Sequence, residues 1–241
     1  MDTKRYIFFD CMETLIDMYE LPGESEYALW AYQGSGVEHF WDNPGQFIEQ
    51  FDKVHRMLKQ KVPVHKEYDI EERFNLVIQE RLNNKNIKEY KEIIIKLVAN
   101  YWQKYKSMCY VSQEVVDTLG FLAEKNQMAI ISNFIVKDGV EELLKINGLE
   151  KFFDIVVTSA NEGWRKPHPY LYSKALSEAG ATAAETIYIG DDYVNDYITP
   201  SRLGFKAFLY DRKNNYIHVK NRFTSMSSLK KIIPTISSII F

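Results

Sequence analysis

The stretch "YIFFDCMETLID", Tyr6 to Asp17, decides the fold. An apolar run of strand length ends on a single carboxylate, Asp10, and passes into Cys11, Met12, Glu13, Thr14 and Leu15. Asp is common where a strand turns, because its side chain bonds nearby backbone, so this stretch alone also reads as turn chemistry. The segments further along decide between the two readings.

After Val111, short apolar runs alternate with amphipathic ones. "MAIIS" (128–132), "FDIVVTS" (153–159), "TIYIG" (186–190) and "KAFLY" (206–210) have strand length and β-branched or aromatic content. Between them, "SQEVVDTLGFLAEK" opens on a capping Ser112. "VKDGVEELLKING" stops at Asn147-Gly148, and "PYLYSKALSEAG" runs from Pro169 to Gly180, as helices do. Alternation of this kind predicts an α/β fold with a doubly wound parallel sheet. The first strand, 5–9, joins that sheet across a long helical block. In the block, Ile70, Phe74, Val77, Ile78 and Leu82 share one helical face, as do Ile94, Leu97, Val98, Tyr101, Trp102 and Tyr105. "QGSGVEHFWDNPGQ" (33–46) interrupts it with Gly and Pro. The expected organisation is an α/β core, 1–17 plus 107–241, with a helical domain, 18–106, inserted after strand one.

Composition narrows the function. The 241 residues are 46% hydrophobic with net charge -3, which argues against a nucleic-acid binder with a basic face. Two cysteines, Cys11 and Cys109, make neither a disulfide framework nor a zinc spacing, so a reducing, cytoplasmic setting is expected. The apolar run before Asp10 is too short for a signal peptide. "IIPTISSIIF" (232–241) is too short and too interrupted to span a bilayer, and it reads equally as a last helix or strand. No membrane partner is expected.

Open α/β sheets bind ligands beyond the carboxyl ends of their strands. Those ends carry Asp10, Ser132-Asn133, Lys166 in "ANEGWRKPHP" (160–169), and Asp191-Asp192 with Asn195 and Asp196 one turn on. Each alone is ordinary loop chemistry. Together they bring a carboxylate, a hydroxyl, a lysine and an acidic cluster to one rim. Asp10 beside Asp191, with Asp192 or Asp196 near, is a like-charge cluster that needs a cation. Hard oxygen donors of this kind suit Mg²⁺ together with a phosphate oxygen. Lys166 and the groups near Ser132 would hold the other oxygens of a transferring phosphoryl group, with Asp10 as nucleophile.

The set Asp-x-x-x-Thr-Leu, Ser-Asn, Arg-Lys-Pro and Gly-Asp-Asp-x-x-Asn-Asp resembles the haloacid dehalogenase superfamily of hydrolases. "GWRKPHPYLYSKAL" (163–176) is similar to its phosphatase-like branch. The resemblance implies a Rossmann-like core with a helical cap and a small phosphorylated substrate. It implies catalytic roles for Asp10, Thr14, Ser132 and Lys166, with Asn133 and Glu13 on the substrate. It implies Mg²⁺ held by Asp10, the Met12 backbone carbonyl, Asp191, and Asp192 or Asp196. Trp30, Tyr32, Phe40 and Trp41 of the cap are candidates to close over substrate. Monomer and homodimer are both compatible.

The resemblance breaks at Met12. Phosphatases of this superfamily carry there a second Asp that acts as general acid and base. Members without it include dehalogenases, phosphonate hydrolases and P-type ATPases, and the enzymatic alternatives are a metal-independent 2-haloacid dehalogenase and a phosphonate hydrolase. A phosphonate hydrolase needs a cap lysine, for which Lys53, Lys59 or Lys61 could serve. Glu13, His39, His55 or His65 could otherwise replace the missing acid. A catalytically silent module that binds phosphate and metal is the non-enzymatic alternative. A phospho-accepting receiver domain is excluded by the order of the motifs.

Overall fold

The computed structural model describes residues 5–82 and 87–239. In chain order the strands and helices are β1 (Arg5–Phe9), β2 (Asp17–Met18), α1 (Glu24–Tyr32), α2 (Pro44–Lys59), α3 (Ile70–Leu82) and α4 (Ile87–Met108). β3 (Cys109–Tyr110), α5 (Gln113–Ala123), β4 (Asn126–Ser132), α6 (Gly139–Ile146), β5 (Ile155–Thr158), α7 (Ser159–Glu162) and α8 (Pro169–Ala179) follow. The chain ends with β6 (Ile187–Gly190), α9 (Thr199–Arg202), β7 (Lys206–Tyr210), β8 (Arg222–Phe223) and α10 (Leu229–Ile239).

Two compact units result: Met1–Asp17 with Tyr110–Phe134 and Asp138–Phe241, and Met18–Cys109 with Ile135–Lys137. The first is built on a six-stranded sheet in the order β5-β4-β1-β6-β7-β8, with every neighbouring pair parallel. β1 therefore lies between β4 and β6, with Phe9 opposite Ile130 on one side and Ile189 on the other. Ile7, Phe8 and Phe9 are fully buried, as a central parallel strand covered on both faces requires. Phe8 packs among Ala129, Ile131, Leu171, Tyr172, Tyr188 and Phe205.

The cap signals act as read. The Ser112 hydroxyl accepts from the Val115 N–H, and Gly180 closes α8 in the left-handed conformation. The edge strand β8 has only two residues, too short for an apolar run to announce it. The C-terminal segment is a helix with Ile233 buried; Ile240 and Phe241 lie outside the described residues.

The second unit is helical, with its core formed by Phe47, Phe51, Phe74, Val77, Ile78, Leu97 and Tyr101. The buried line of α4 is Ile93, Leu97, Tyr101 and Tyr105, while Ile94, Val98 and Trp102 flank it half-buried. The side chain of Leu82 lies outside the described residues. Tyr32 and Trp41, expected to face a substrate, are buried in this unit's own core against Phe47, at 5.2 and 4.8 Å between ring centroids. Trp30 stacks edge-on to Tyr27 and Tyr105, and Phe40 to Trp41. Aromatics at helical spacing fill cores first. Within the same unit the Ile70 N–H donates to the Ile135 carbonyl, and Lys137 pairs with Asp69 at 2.6 Å.

Candidate active site

The three central strands end side by side, so the residues just past them meet. The Asp10 N–H donates to the Ile189 carbonyl at 2.8 Å, which carries the ladder one residue beyond β1. Ser132, almost fully buried, closes β4, and Gly190 closes β6 immediately before Asp191. Past β1 the chain turns back at once. Leu15 and Ile16 donate to the Cys11 carbonyl, and Glu13, left-handed at φ 59°, donates to the Ile16 carbonyl.

Lys166, from the loop between α7 and α8, ties these ends together. Its Nζ lies 2.7 Å from Asp10 Oδ1, 2.7 Å from Asp196 Oδ1 and 2.9 Å from the Ile131 carbonyl oxygen. An ammonium has three protons, and these three acceptors take them. Burial alone would lower the Lys166 pKa, but Asp10 and then Asp196 outweigh it and hold the group well above its usual range. Lys166 reaches a phosphoryl oxygen only by releasing one of these partners. The Thr14 hydroxyl lies 3.2 Å from Asp191 Oδ1 and 3.4 Å from Asp10 Oδ2, and with one proton it serves one at a time.

Asp10, Asp191 and Asp196 each place a carboxylate oxygen within 4.8 Å of the others. Burial, then the charges of Asp10 and Asp196, push Asp191 up to about 8. Burial, against the pull of Lys166 and with Asp10 opposing ionisation, pushes Asp196 up to about 7. Crowded, desolvated carboxylates hold on to protons unless a cation replaces them. Three hard oxygen donors in one buried place fit a small divalent cation such as Mg²⁺.

Asp192 is not part of this cluster. Its side chain is exposed and accepts from the N–H groups of Val194 and Asn195, capping the π-helical turn Tyr193–Ile198. That turn swings Asp196 back beneath the strand end, where its Oδ2 accepts from the Asp192 N–H at 3.0 Å. Asn133 is likewise occupied. Its Oδ1 accepts the Lys166 N–H at 2.6 Å and its amide donates to the Lys166 carbonyl at 3.0 Å, so it clamps the lysine backbone. Met12 is half-buried in the turn after Asp10 and bridges to Ile16. Glu13 is half-buried, and its charge adds to those that raise Asp191.

Three residues of the site escaped the sequence reading. Tyr188 stands in the apolar run of β6, and its hydroxyl lies 3.2 Å from Lys166 Nζ. Arg212, just past β7, donates to the Glu13 carbonyl and pairs with Asp17 at 2.8 Å, bracing the turn after Asp10. Gly190 makes room for Asp196: a Cβ there would lie 2.5 Å from Asp196 Cγ and Oδ2. Gly190→Ala should therefore cost about 1–3 kcal/mol of stability, as overpacking does, and also lower turnover because Asp196 must leave Lys166. Denaturant unfolding of the variant measures the first effect; an unchanged midpoint would contradict the packing.

Comparison with known proteins identifies the family of the chain. The curated "Haloacid dehalogenase-like hydrolase domain-containing protein 3" of Xenopus laevis is 42% identical over 87 residues, 36% of this chain and 35% of that protein. "Pyrophosphatase PpaX" of Bacillus pumilus is 34% identical over 95 residues, 39% of this chain and 44% of that protein. The matched stretches thus span less than half the length of these relatives. Among solved structures, a 2-haloacid dehalogenase from Pseudomonas syringae pv. Tomato superposes with TM-score 0.78 at 18% identity, covering 96% of this chain and 99% of that one. A phosphatase from Thermococcus onnurineus superposes with TM-score 0.67 at 19% identity, covering 95% and 97%. At such identities these two show the shared fold. The family model described as haloacid dehalogenase-like hydrolase matches residues 46–209, a span that holds Ser132, Lys166, Asp191 and Asp196 and begins after Asp10. With most of its length matched by that model, the chain belongs to the haloacid dehalogenase-like hydrolases.

Proposed function

We propose that the protein is a Mg²⁺-dependent phosphohydrolase acting on a small phosphorylated metabolite through an aspartyl-phosphate on Asp10. The observation that carries this reading is the convergence of the Asp10, Asp191 and Asp196 carboxylates on one site bridged by Lys166. In this reading the α/β unit is the catalytic core and the inserted helical unit is the cap. Among the described residues no helix is long and apolar enough to cross a membrane, and the proposed setting is cytoplasmic, as a monomer or homodimer. No nucleic-acid partner is proposed.

The chain's own groups divide the work. Lys166 holds Asp10 Oδ1, so Oδ2, with only the 3.4 Å contact to Thr14, is the freer oxygen and the nucleophile. Its lone pair forms the new P–O bond as the bond to the leaving oxygen breaks. Water then cleaves the aspartyl-phosphate and restores Asp10. The Ser132 and Thr14 hydroxyls are assigned to the phosphoryl oxygens. Bound Mg²⁺, held by Asp10, Asp191 and the Met12 carbonyl with Asp196 behind them, would offset the negative charge of the transferring group. With Met at position 12, the preferred substrates are those whose leaving group needs no proton, such as acyl phosphates and phosphoanhydrides. The pyrophosphatase name of the Bacillus pumilus relative is in keeping with that preference.

One experiment joins chemistry to ion binding. Acetyl phosphate and p-nitrophenyl phosphate are offered with and without Mg²⁺, and melting temperature is followed across pH. Turnover should require Mg²⁺. Asp191 and Asp196, raised to about 8 and about 7 from an ordinary 3.8, hold protons in the folded chain that the unfolded chain has lost. Metal-free stability should therefore fall as pH rises from about 4 to about 8. Mg²⁺ should raise the melting temperature more at the alkaline end of that window. Turnover indifferent to Mg²⁺, with no metal-dependent shift in melting, would reject the reading.

A further inference from the structure

Tyr188 has two unlike ends. Its ring lies in the apolar core of the first unit, 5.7 Å from the Tyr172 ring and 5.8 Å edge-on to Phe205. Its hydroxyl is fully buried and reaches the polar centre, 3.2 Å from Lys166 Nζ, 3.2 Å from Asp196 Oδ1 and 3.3 Å from the Ile131 carbonyl oxygen. A phenylalanine would fill the same core volume. Packing therefore accounts for the ring and leaves the hydroxyl unexplained.

Proton counting says what the hydroxyl does. The three Lys166 protons go to Asp10, Asp196 and Ile131, each at 2.9 Å or less. The Tyr188 oxygen then meets the ammonium with a lone pair, and its own proton turns to Asp196 or to the Ile131 carbonyl. Two of the acceptors that hold Lys166 are thus also neighbours of Tyr188. Without the hydroxyl, the ammonium has an open side facing the core, and Asp196 Oδ1 or the Ile131 carbonyl loses a donor. A short displacement of Lys166 away from Asp10 changes which Asp10 oxygen is restrained and which is free to attack, and reacting groups tolerate little misplacement.

We propose that Tyr188 is a positioning residue, which sets the reach of Lys166 to Asp10 and thereby keeps the nucleophilic oxygen in place. Its effect on rate rests on the phosphoryl-transfer reading; its hold on Lys166 does not.

The test uses the full-length protein labelled with ¹⁵N-lysine, in wild type and Tyr188→Phe, with acetyl phosphate kinetics on both. A buried ammonium with three fixed acceptors exchanges slowly and gives a proton–nitrogen signal, identified as Lys166 by its loss in Lys166→Arg. Tyr188→Phe should shift or broaden that signal. It should also lower kcat about tenfold, the size of one lost hydrogen bond, with KM changed less than about twofold. A Lys166 signal unchanged in Tyr188→Phe overturns the proposal, as does its absence from the wild type. So does an unchanged kcat in the variant of an active enzyme. If the wild type hydrolyses neither acetyl phosphate nor p-nitrophenyl phosphate, the phosphoryl-transfer reading fails, and the ammonium signal alone decides whether Tyr188 holds Lys166.

Discussion

Asp10→Asn should abolish turnover and at the same time make the metal-free protein harder to melt. The amide is nearly isosteric and still offers an oxygen to the Lys166 ammonium, now 2.7 Å from Asp10 Oδ1. It cannot form an acyl phosphate, so the rate should fall by roughly 10⁴-fold or more, as losses of an essential nucleophile do. Stability should move the other way. Three carboxylates and one ammonium share the site, an excess of two negative charges when all are ionised. Removing one leaves Lys166 paired with Asp196 and takes a like charge away from Asp191. The melting temperature without Mg²⁺ should rise, and the further rise on adding Mg²⁺ should shrink. A variant that loses activity and also melts early would mean that Asp10 is needed chiefly for folding. A variant with wild-type turnover would end the nucleophile assignment.

How much of this was readable beforehand depended on where each signal sits along the chain. Asp10, Lys166 and Asp191 stand at strand ends or in a loop beside Gly and Pro, and polar residues there contrast with the apolar runs that precede them. Strand alternation likewise placed β1 in a parallel sheet with the later strands, and the sheet order puts it between β4 and β6. Tyr188 was hidden because within "TIYIG" it satisfies the strand pattern; only its hydroxyl matters, and periodicity does not register one atom. Asp192 and Asp196 could not be separated because their spacing is read on an α-helix. The turn is π-helical, so Asp192 caps it while Asp196 folds under Gly190. Asn133 was assigned to substrate because an amide after a strand binds either ligand or backbone, and only the fold shows that it grips Lys166. Arg212 lies 199 positions from Glu13 and 195 from Asp17, separations no local pattern spans. Tyr32 and Trp41 are the opposite case: aromatics of the helical unit's own core carry the same sequence signature as aromatics that close over a ligand.

Met12→Asp should separate substrates by leaving group. A positioned general acid contributes about 10²–10⁴ in rate, and it does so only where the departing oxygen needs a proton. On alkyl phosphates the variant should therefore gain about 10²-fold or more, while acetyl phosphate, whose leaving group is already weakly basic, should change by less than about threefold. The local backbone permits the exchange. The left-handed residue of the turn is Glu13, so position 12 needs no special conformation, and Met12 is only half-buried. The cost is electrostatic, because a fourth carboxylate joins Asp10, Asp191 and Asp196. The variant should accordingly depend more steeply on Mg²⁺ than the wild type, and its metal-free form should melt earlier. A gain of equal size on both substrates would show that Met12 limits something other than proton transfer, such as access to Asp10. No gain on either, with Mg²⁺ binding intact, would mean that another group already protonates the leaving oxygen, and Glu13→Gln is then the variant that must lose activity.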